Sequence, residues 1–296
     1  MSALPVSTRS GDGARRIVDG EFVFTEEDFR RIASMLHGET GIVVSESKAT
    51  LVYSRLAKRL RTLGLENFKA YCGLISSDAG LGERQEMFAA LTTNVTRFFR
   101  EPHHFEHLKS RVLPPLLDAA RRGGKVRLWS AACSSGQEPY SAAMTLLSVA
   151  PDAGGLDIKI LATDIDPNMV ADGRAGVYSD SLLTAVPPDM RKTWFSPAPG
   201  GNGQQIADEV RALVAFRELN LIGDWPMRGR FDAIFCRNVV IYFGEDTQAK
   251  IWSRFAPMLN PGGTLYIGHS ERVSGPAADR FKPDGVTTYK IDGAAK

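Results

Sequence analysis

The chain has 296 residues, 43% of them hydrophobic and 24% charged, with 36 Lys and Arg against 34 Asp and Glu for a formal charge of +2. This composition excludes wholesale disorder and gives enough chain for one large domain or two modest ones; the near-balanced charge exerts no whole-molecule pull toward nucleic acid or an anionic membrane. Three widely spaced cysteines, Cys72, Cys133 and Cys236, include no Cys-x-x-Cys pair, which argues against a disulfide framework or zinc site and fits a reducing cytoplasm.

Residues 1–22 are polar and rich in Gly, Ser and Arg, and read as a disordered tail without the apolar segment of a signal peptide. No run of eighteen apolar residues predicts a membrane span. Residues 23–90 show helical periodicity. Thr25 with Asp28 resembles a capping box in which Asp replaces the usual Glu or Gln. Val52, Leu56, Leu60 and Leu63 predict one apolar stripe on an amphipathic helix, while Arg55, Lys58, Arg59 and Thr62 share its other side, flanked by Lys48 and Arg61. That basic face reads either as a solvated helix surface or as a docking surface for an acidic partner. No aromatics interleave with it as a single-strand nucleic-acid platform would require.

Residues 91–124 lead into a second domain, 125–296, where short β-rich runs alternate with helices. Val126 to Ser130, Ile158 to Thr163, Phe231 to Cys236 and Thr264 to Ile267 predict buried strands, with helices near 137–149, 167–175 and 245–258. This alternation implies an α/β fold with a mainly parallel sheet. Between Tyr178 and Phe216, Pro187-Pro188, Pro197, Pro199-Gly200-Gly201 and Gly203 break the rhythm, which predicts an inserted β subdomain over about 178–216. A further strand is expected from Ala212 to Phe216.

Ligands of open α/β sheets bind at the carboxyl ends of the strands, where the first strand turns into a helix. Here that turn is Ser130-Ala131-Ala132-Cys133-Ser134-Ser135-Gly136, whose small residues allow close backbone approach and whose helix N-terminus favours an anionic group. It lacks the glycines that a pyrophosphate requires, which disfavours a dinucleotide. Asp164, ending the next strand, can accept from ribose hydroxyls or cap the helix opening at Pro167. Turn and acid together favour a nucleoside site.

At these residues the chain resembles the chemotaxis receptor glutamate O-methyltransferase family, the CheR type. Thr93-Asn94-Val95-Thr96-Arg97-Phe98-Phe99-Arg100 is similar to its Thr-x-x-Thr-x-Phe-Phe-Arg signature, and Trp129 through Ser141 to its cofactor turn. Ala162 to Asp166, Phe231 to Asn238 running on to Ile241-Tyr242-Phe243, and Gly268-His269-Ser270-Glu271 follow in family order. The resemblance implies a class I Rossmann-like methyltransferase sheet, an N-terminal all-α domain that docks substrate and a small inserted β subdomain. It implies S-adenosylmethionine as cofactor and S-adenosylhomocysteine as product, with glutamates on the cytoplasmic domains of methyl-accepting chemoreceptors as acceptors. A cytoplasmic monomer is expected, with neither nucleic-acid binding nor membrane insertion.

Carried over position by position, the resemblance implies cofactor contacts at Asn94, Thr96, Arg100, Glu138, Asp164, Asn220, Leu221, Arg237 and Asn238. Glu138 also reads as a favourable charge at a helix N-terminus, and Arg237-Asn238 as a cap on the fourth strand. Arg100 and Tyr242 are the expected catalytic residues, one holding a carboxylate and the other orienting the acceptor. Arg55, Lys58 and Arg59 are the expected docking residues. His103, His104 and His107 with Glu106 do not form His-Glu-x-x-His, and no metal is expected. Cys133 reads as a small turn residue, and His269 as structural.

Overall fold

A computed structural model describes residues 15–92 and 94–292. Residues 1–14 of the expected tail and Thr93 of the signature lie outside the described residues. The chain divides into two compact units, the first ending at Thr92 and the second beginning at Thr93.

In the first unit, β1 (Arg16–Val18) pairs antiparallel with β2 (Phe24–Thr25), followed by α1 (Glu26–Thr40), α2 (Ala49–Leu63), α3 (Phe68–Ser76) and α4 (Leu81–Leu91). Residues 16–18 therefore form a strand where a disordered tail was expected. The reason is apolar burial: Val18 and Phe22 join the core of this unit, which centres on Phe24 with its ring 4.3 Å from that of Phe68. The Thr25–Asp28 capping box is present: the Asp28 amide donates to the Thr25 hydroxyl at 3.2 Å and the Thr25 amide to the Asp28 carboxylate at 3.0 Å. Asp reaches back as a longer acid would. Along α2, Val52, Leu56 and Leu60 are buried as expected, but Leu63 is 38% exposed, at the last position before Gly64 turns the chain out of the helix at φ 65°.

The second unit opens with α5 (Pro102–His107) and α6 (Leu113–Arg121), then β3 (Val126–Ala131), α7 (Gln137–Val149), β4 (Ile158–Asp164) and α8 (Pro167–Ala175). There follow β5 (Val177–Tyr178), α9 (Pro188–Trp194), β6 (Phe195–Pro197), β7 (Gln204–Ile206), α10 (Asp208–Ala212) and β8 (Val214–Glu218). The unit ends with β9 (Phe231–Cys236), α11 (Glu245–Met258), β10 (Leu259–Ile267), β11 (Phe281–Gly285) and β12 (Thr288–Ile291). Seven strands form one sheet in the order β11-β12-β10-β9-β3-β4-β8, parallel from β10 to β8, with β12 antiparallel to both β10 and β11. This is the mixed α/β architecture expected.

Alternating side chains divide the core between the two faces of the sheet. Val126, Leu128, Ile158, Ile160 and Phe235 pack with Phe105, Leu117, Tyr140 and Leu146 from α5 to α7. Trp129 points the other way, against Trp225 at 5.0 Å and Phe255 of α11 at 5.2 Å, with its indole N–H donating to Thr163 at 2.9 Å. Such burial stabilises by about 1.5–3 kcal/mol per large apolar side chain.

Two strand boundaries differ from expectation. The segment read as a strand from Ala212 ends α10 instead, and β8 begins at Val214. β10 starts five residues early, at Leu259, because Asn260 to Gly263 bulge out between the Leu259–Phe231 and Thr264–Ala233 pairs. The proline and glycines that read as a loop supply the bulge. Inside the region expected to be inserted, β5, β7 and β6 form a separate antiparallel sheet. Its last strand ends at Ile206, while β8, which overlaps the expected insertion, belongs to the main sheet.

Candidate active site

The chain leaves β3 toward β4 and β8 on one side, then returns to lay β9 on the other side of β3. In open α/β sheets such a reversal marks the place for a ligand, here beyond the carboxyl ends of β3 and β9. The segments leaving β3, β4, β8 and β9 carry Glu138, Asp164, Asn220, Leu221, Arg237 and Asn238.

The turn after β3 is held in an unusual shape. Ala132, Ser134 and Gly136 all have left-handed φ values, of 62°, 50° and 94°. At Gly136 a Cβ would meet Phe216 and the Tyr178 hydroxyl at 3.0 Å, so both conformation and space demand glycine there. Asp164 keeps the turn in place from β4: its carboxylate accepts from the Ser134 amide at 2.7 Å and the Asp166 amide at 3.0 Å. Burial pushes the Asp164 carboxyl up to about 6 even though those amide donors favour its charge. The helix cap at α8 is Asp166, which accepts from the Asn168 amide at 2.9 Å, so that alternative role falls to Asp166 and not to Asp164. Asn94 joins the same cluster, donating to Asp166 at 2.9 Å while its carbonyl accepts from the Ser134 hydroxyl at 2.9 Å.

Asn220 follows directly, because the Leu219 amide donates to the Asp164 carbonyl at 2.9 Å. The Asn220 side chain accepts from the Ile222 amide at 3.1 Å. The Leu221 side chain is buried and its carbonyl accepts from Trp225 at 3.2 Å and Arg254 at 2.8 Å.

Arg237, expected to contact the cofactor or to cap the fourth strand, is buried. Its guanidinium is 1% exposed and lies between two carboxylates, 2.9 Å from Glu138 and 3.2 Å from Glu101, and it also donates to the Arg100 carbonyl. It is a buried brace between the signature segment and the cofactor turn. Glu138 takes a second bond from the Ser130 hydroxyl at 2.7 Å. Burial raises the Glu138 carboxyl above its ordinary value, with Arg237 and Ser130 opposing. For Glu101, burial is outweighed by Arg237, His269 and His104, and its carboxyl is held at about 2.

The signature segment is anchored by aromatic rings. Phe98 is fully buried, edge-on to Tyr178 of β5 at 4.9 Å and to Phe195 of β6 at 5.7 Å. Phe99 packs on Phe105 at 5.3 Å, and its amide donates to the Ser141 hydroxyl at 2.9 Å. Left-handed backbone at Phe99 and Glu101, with φ of 50° and 58°, sends Arg100 outward, where it donates to the Val95 carbonyl at 3.0 Å and makes no ion pair among the described residues. Thr96 lies half-buried in the same loop, and Tyr242 is half-buried five residues beyond Arg237. The Tyr242 hydroxyl has no hydrogen-bond partner among the described residues.

Several groups at the site were not expected from the sequence: Glu101, Ser130, Asp166 and Glu271. Their signal was position alone, Glu101 directly after the signature arginine and Glu271 ending the Gly-His-Ser-Glu block.

The expected docking residues lie on α2 of the first unit, and two are engaged there. Arg55 donates to the carbonyls of Ala90, Leu91 and Thr92 at 2.7–3.2 Å, satisfying the end of α4. Arg59 forms a fork on Glu83 at 2.6 and 3.0 Å and reaches Glu86 at 3.2 Å. Lys58 is exposed.

Of the histidines, His104 is buried; burial and Arg237 lower its pKa to about 3, and it meets Thr287 at 2.9 Å. His107 bridges Tyr266 at 3.0 Å and Asp284 at 3.2 Å. Glu101, His103 and His104 bring three ligand-type atoms together, yet the Arg237 guanidinium already lies 3.2 Å from the Glu101 carboxylate. A second cation there would face direct repulsion.

S-adenosylmethionine presents an ammonium, a carboxylate, ribose hydroxyls and an adenine. The carboxylates of Glu138 and Asp164 and the guanidinium of Arg100 are complementary to those groups in charge and hydrogen bonding.

Residues 94–290 match the family described as CheR methyltransferase, SAM binding domain, and residues 27–92 match the CheR methyltransferase all-alpha domain. The chain is 57% identical over 258 residues to a probable chemotaxis protein methyltransferase of Rhizobium etli, covering 86% of this chain and 96% of that one. It is 44% identical over 278 residues to chemotaxis protein methyltransferase 2 of Pseudomonas aeruginosa, covering 91% of this chain and 94% of that one. To the chemotaxis protein methyltransferase of Escherichia coli it is 41% identical over 271 residues, covering 90% and 91%.

Proposed function

The chain belongs to the CheR methyltransferase family, S-adenosylmethionine-dependent methyltransferases of chemotaxis, and from that premise we propose that its acceptor is the side-chain carboxylate of glutamates on the cytoplasmic helical region of chemoreceptors. When bound, the cofactor supplies a sulfonium methyl group that passes to a carboxylate oxygen, giving a glutamyl methyl ester and S-adenosylhomocysteine.

The observation that carries this reading is the engagement of the acids at the site. Asp164 is held by two amides, Glu138 by Ser130 and Arg237, and Glu101 by Arg237 and His269. Each of these three acids already has hydrogen-bonding or ionic partners within the protein. A glutamate acceptor, with an ordinary pKa near about 4.3, is already ionised at neutral pH and needs no base, whereas an alcohol or ammonium acceptor does. Alignment and exclusion of water then supply most of the acceleration.

In this reading Asp164 would accept from the ribose hydroxyls and Glu138 would face the cationic part of the cofactor. Asn94, Thr96, Asn220, Leu221 and Asn238 would line the rest, and Arg237 would hold Glu138 in position. Arg100 would grip a carboxylate with its outward fork, and Tyr242 would orient the acceptor through its hydroxyl. Lys58 would contribute to receptor docking on the first unit. The protein would act in the cytoplasm as a monomer; among the described residues no helix is long and apolar enough to cross a membrane.

Incubation with methyl-labelled cofactor and a receptor cytoplasmic fragment tests the proposal. Label released as methanol on mild base supports it, and label that resists base overturns it.

A further inference from the structure

We propose that Glu271 is a positioning residue that fixes the loop carrying Asn238 and Tyr242 at the carboxyl end of β9. Its carboxylate is the acceptor for four backbone amides. Asn238 donates to one oxygen at 2.9 Å and Gly268 to the same oxygen at 2.6 Å, while Val239 and Val240 donate to the other at 2.9 and 2.8 Å. Three of these amides are consecutive, an arrangement that one carboxylate can satisfy only if the loop holds a single conformation.

One residue of the loop is held in a less common backbone conformation. Asn238 sits in the left-handed region at φ 60°, which costs energy for a residue with a Cβ. Immediately beyond it, Tyr242 donates its amide to the Val239 carbonyl at 3.1 Å and Phe243 to Val240 at 3.0 Å, closing a short turn. Glu271 satisfies the amides that open this turn, as a capping side chain does at the start of a helix. Its negative charge strengthens each bond relative to a neutral acceptor.

The β10 side is built to receive the loop closely. A Cβ on Gly268 would meet the Asn238 side-chain nitrogen at 2.4 Å and its amide at 2.8 Å, so only glycine admits the contact. The Glu271 amide returns to the Gly268 carbonyl at 2.9 Å, which folds residues 268–271 into a tight turn. In the same turn the His269 amide donates to Glu101 at 3.2 Å. One turn after β10 therefore ties together the β9 loop and the residue that follows Arg100.

The inference rests on the cofactor and not on the identity of the acceptor. Glu271→Gln keeps the size of the side chain but replaces one acceptor oxygen with a donor that opposes the amides. The expected result is about tenfold weaker binding of S-adenosylhomocysteine by calorimetry, the equivalent of losing one such bond. Turnover with receptor falls by at least about tenfold, and the amides of residues 238–240 exchange faster with solvent. Gly268→Ala, which pushes the same loop from the other side, gives the same pattern and serves if the first variant fails to fold. Product affinity within twofold of wild type, with unchanged exchange at 238–240, overturns the proposal even if overall stability falls. Binding and exchange need no acceptor, so they remain informative should the receptor assignment fail.

Discussion

Replacing Arg237 with methionine tests the buried brace most severely. The substitution keeps much of the side-chain volume but leaves Glu101 and Glu138, each with a side chain 12% exposed, without their shared cation. In the native protein the Glu101 carboxyl is held at about 2 against an ordinary value of 4.5. A shift of that size contributes about 3 kcal/mol of stability, fully present above pH 5 and lost as pH falls toward 2. Removing the guanidinium takes away the largest single share of that contribution, leaving what His269 and His104 supply, and lifts Glu138, already raised by burial, further still. Glu138 then titrates further above its unfolded value, so the folded variant holds its proton to higher pH and its stability declines as pH rises through that value. Denaturant unfolding of the variant should show a deficit of about 3–5 kcal/mol at pH 8 that narrows at pH 5. A deficit below about 1 kcal/mol, or one that does not change with pH, refutes the brace.

Three other outcomes follow from the same geometry. Arg100→Ala and Tyr242→Phe each lower turnover by at least about tenfold while unfolding curves match wild type, because neither side chain supports the core; wild-type rates in both variants remove the catalytic assignment. Cofactor affinity should weaken as pH falls through about 6, where Asp164 gains a proton, and Asp164→Asn should be weak and flat with pH; calorimetry across pH 5–8 checks both. Lys58→Glu raises the receptor KM at low salt with little change in stability, whereas Arg59→Ala breaks the Glu83 fork and destabilises the first unit; an unchanged KM for Lys58→Glu removes it from docking.

Much of this architecture is legible along the chain because it rests on local rules. Thr25 and Asp28 cap α1 through contacts three residues apart, and the β-rich runs before Ala132, Asp164 and Arg237 carry the alternation that buries a strand. What escaped is set by tertiary placement. The ion pairs of Arg237 are not legible along the chain, because the fold places Glu101 and Glu138 on either side of it from segments far apart in sequence. Arg55 and Arg59 likewise look like a free basic face. Only the packing of α4 against α2 supplies the carbonyls and acids that engage them. The β10 bulge was hidden for the opposite reason, since Pro261, Gly262 and Gly263 are strong local turn signals that sheet pairing on both sides overrode.

The central claim is methyl transfer to glutamate, and locating the methyl groups on the acceptor tests it most directly. A receptor cytoplasmic fragment incubated with enzyme and cofactor, then analysed by peptide mass spectrometry, should carry methyl esters on specific glutamates, removed by mild base and absent when those glutamates are replaced by alanine. Methyl groups on lysine, arginine or nucleic acid, or an unmodified receptor beside an enzyme that binds its cofactor, would contradict the account.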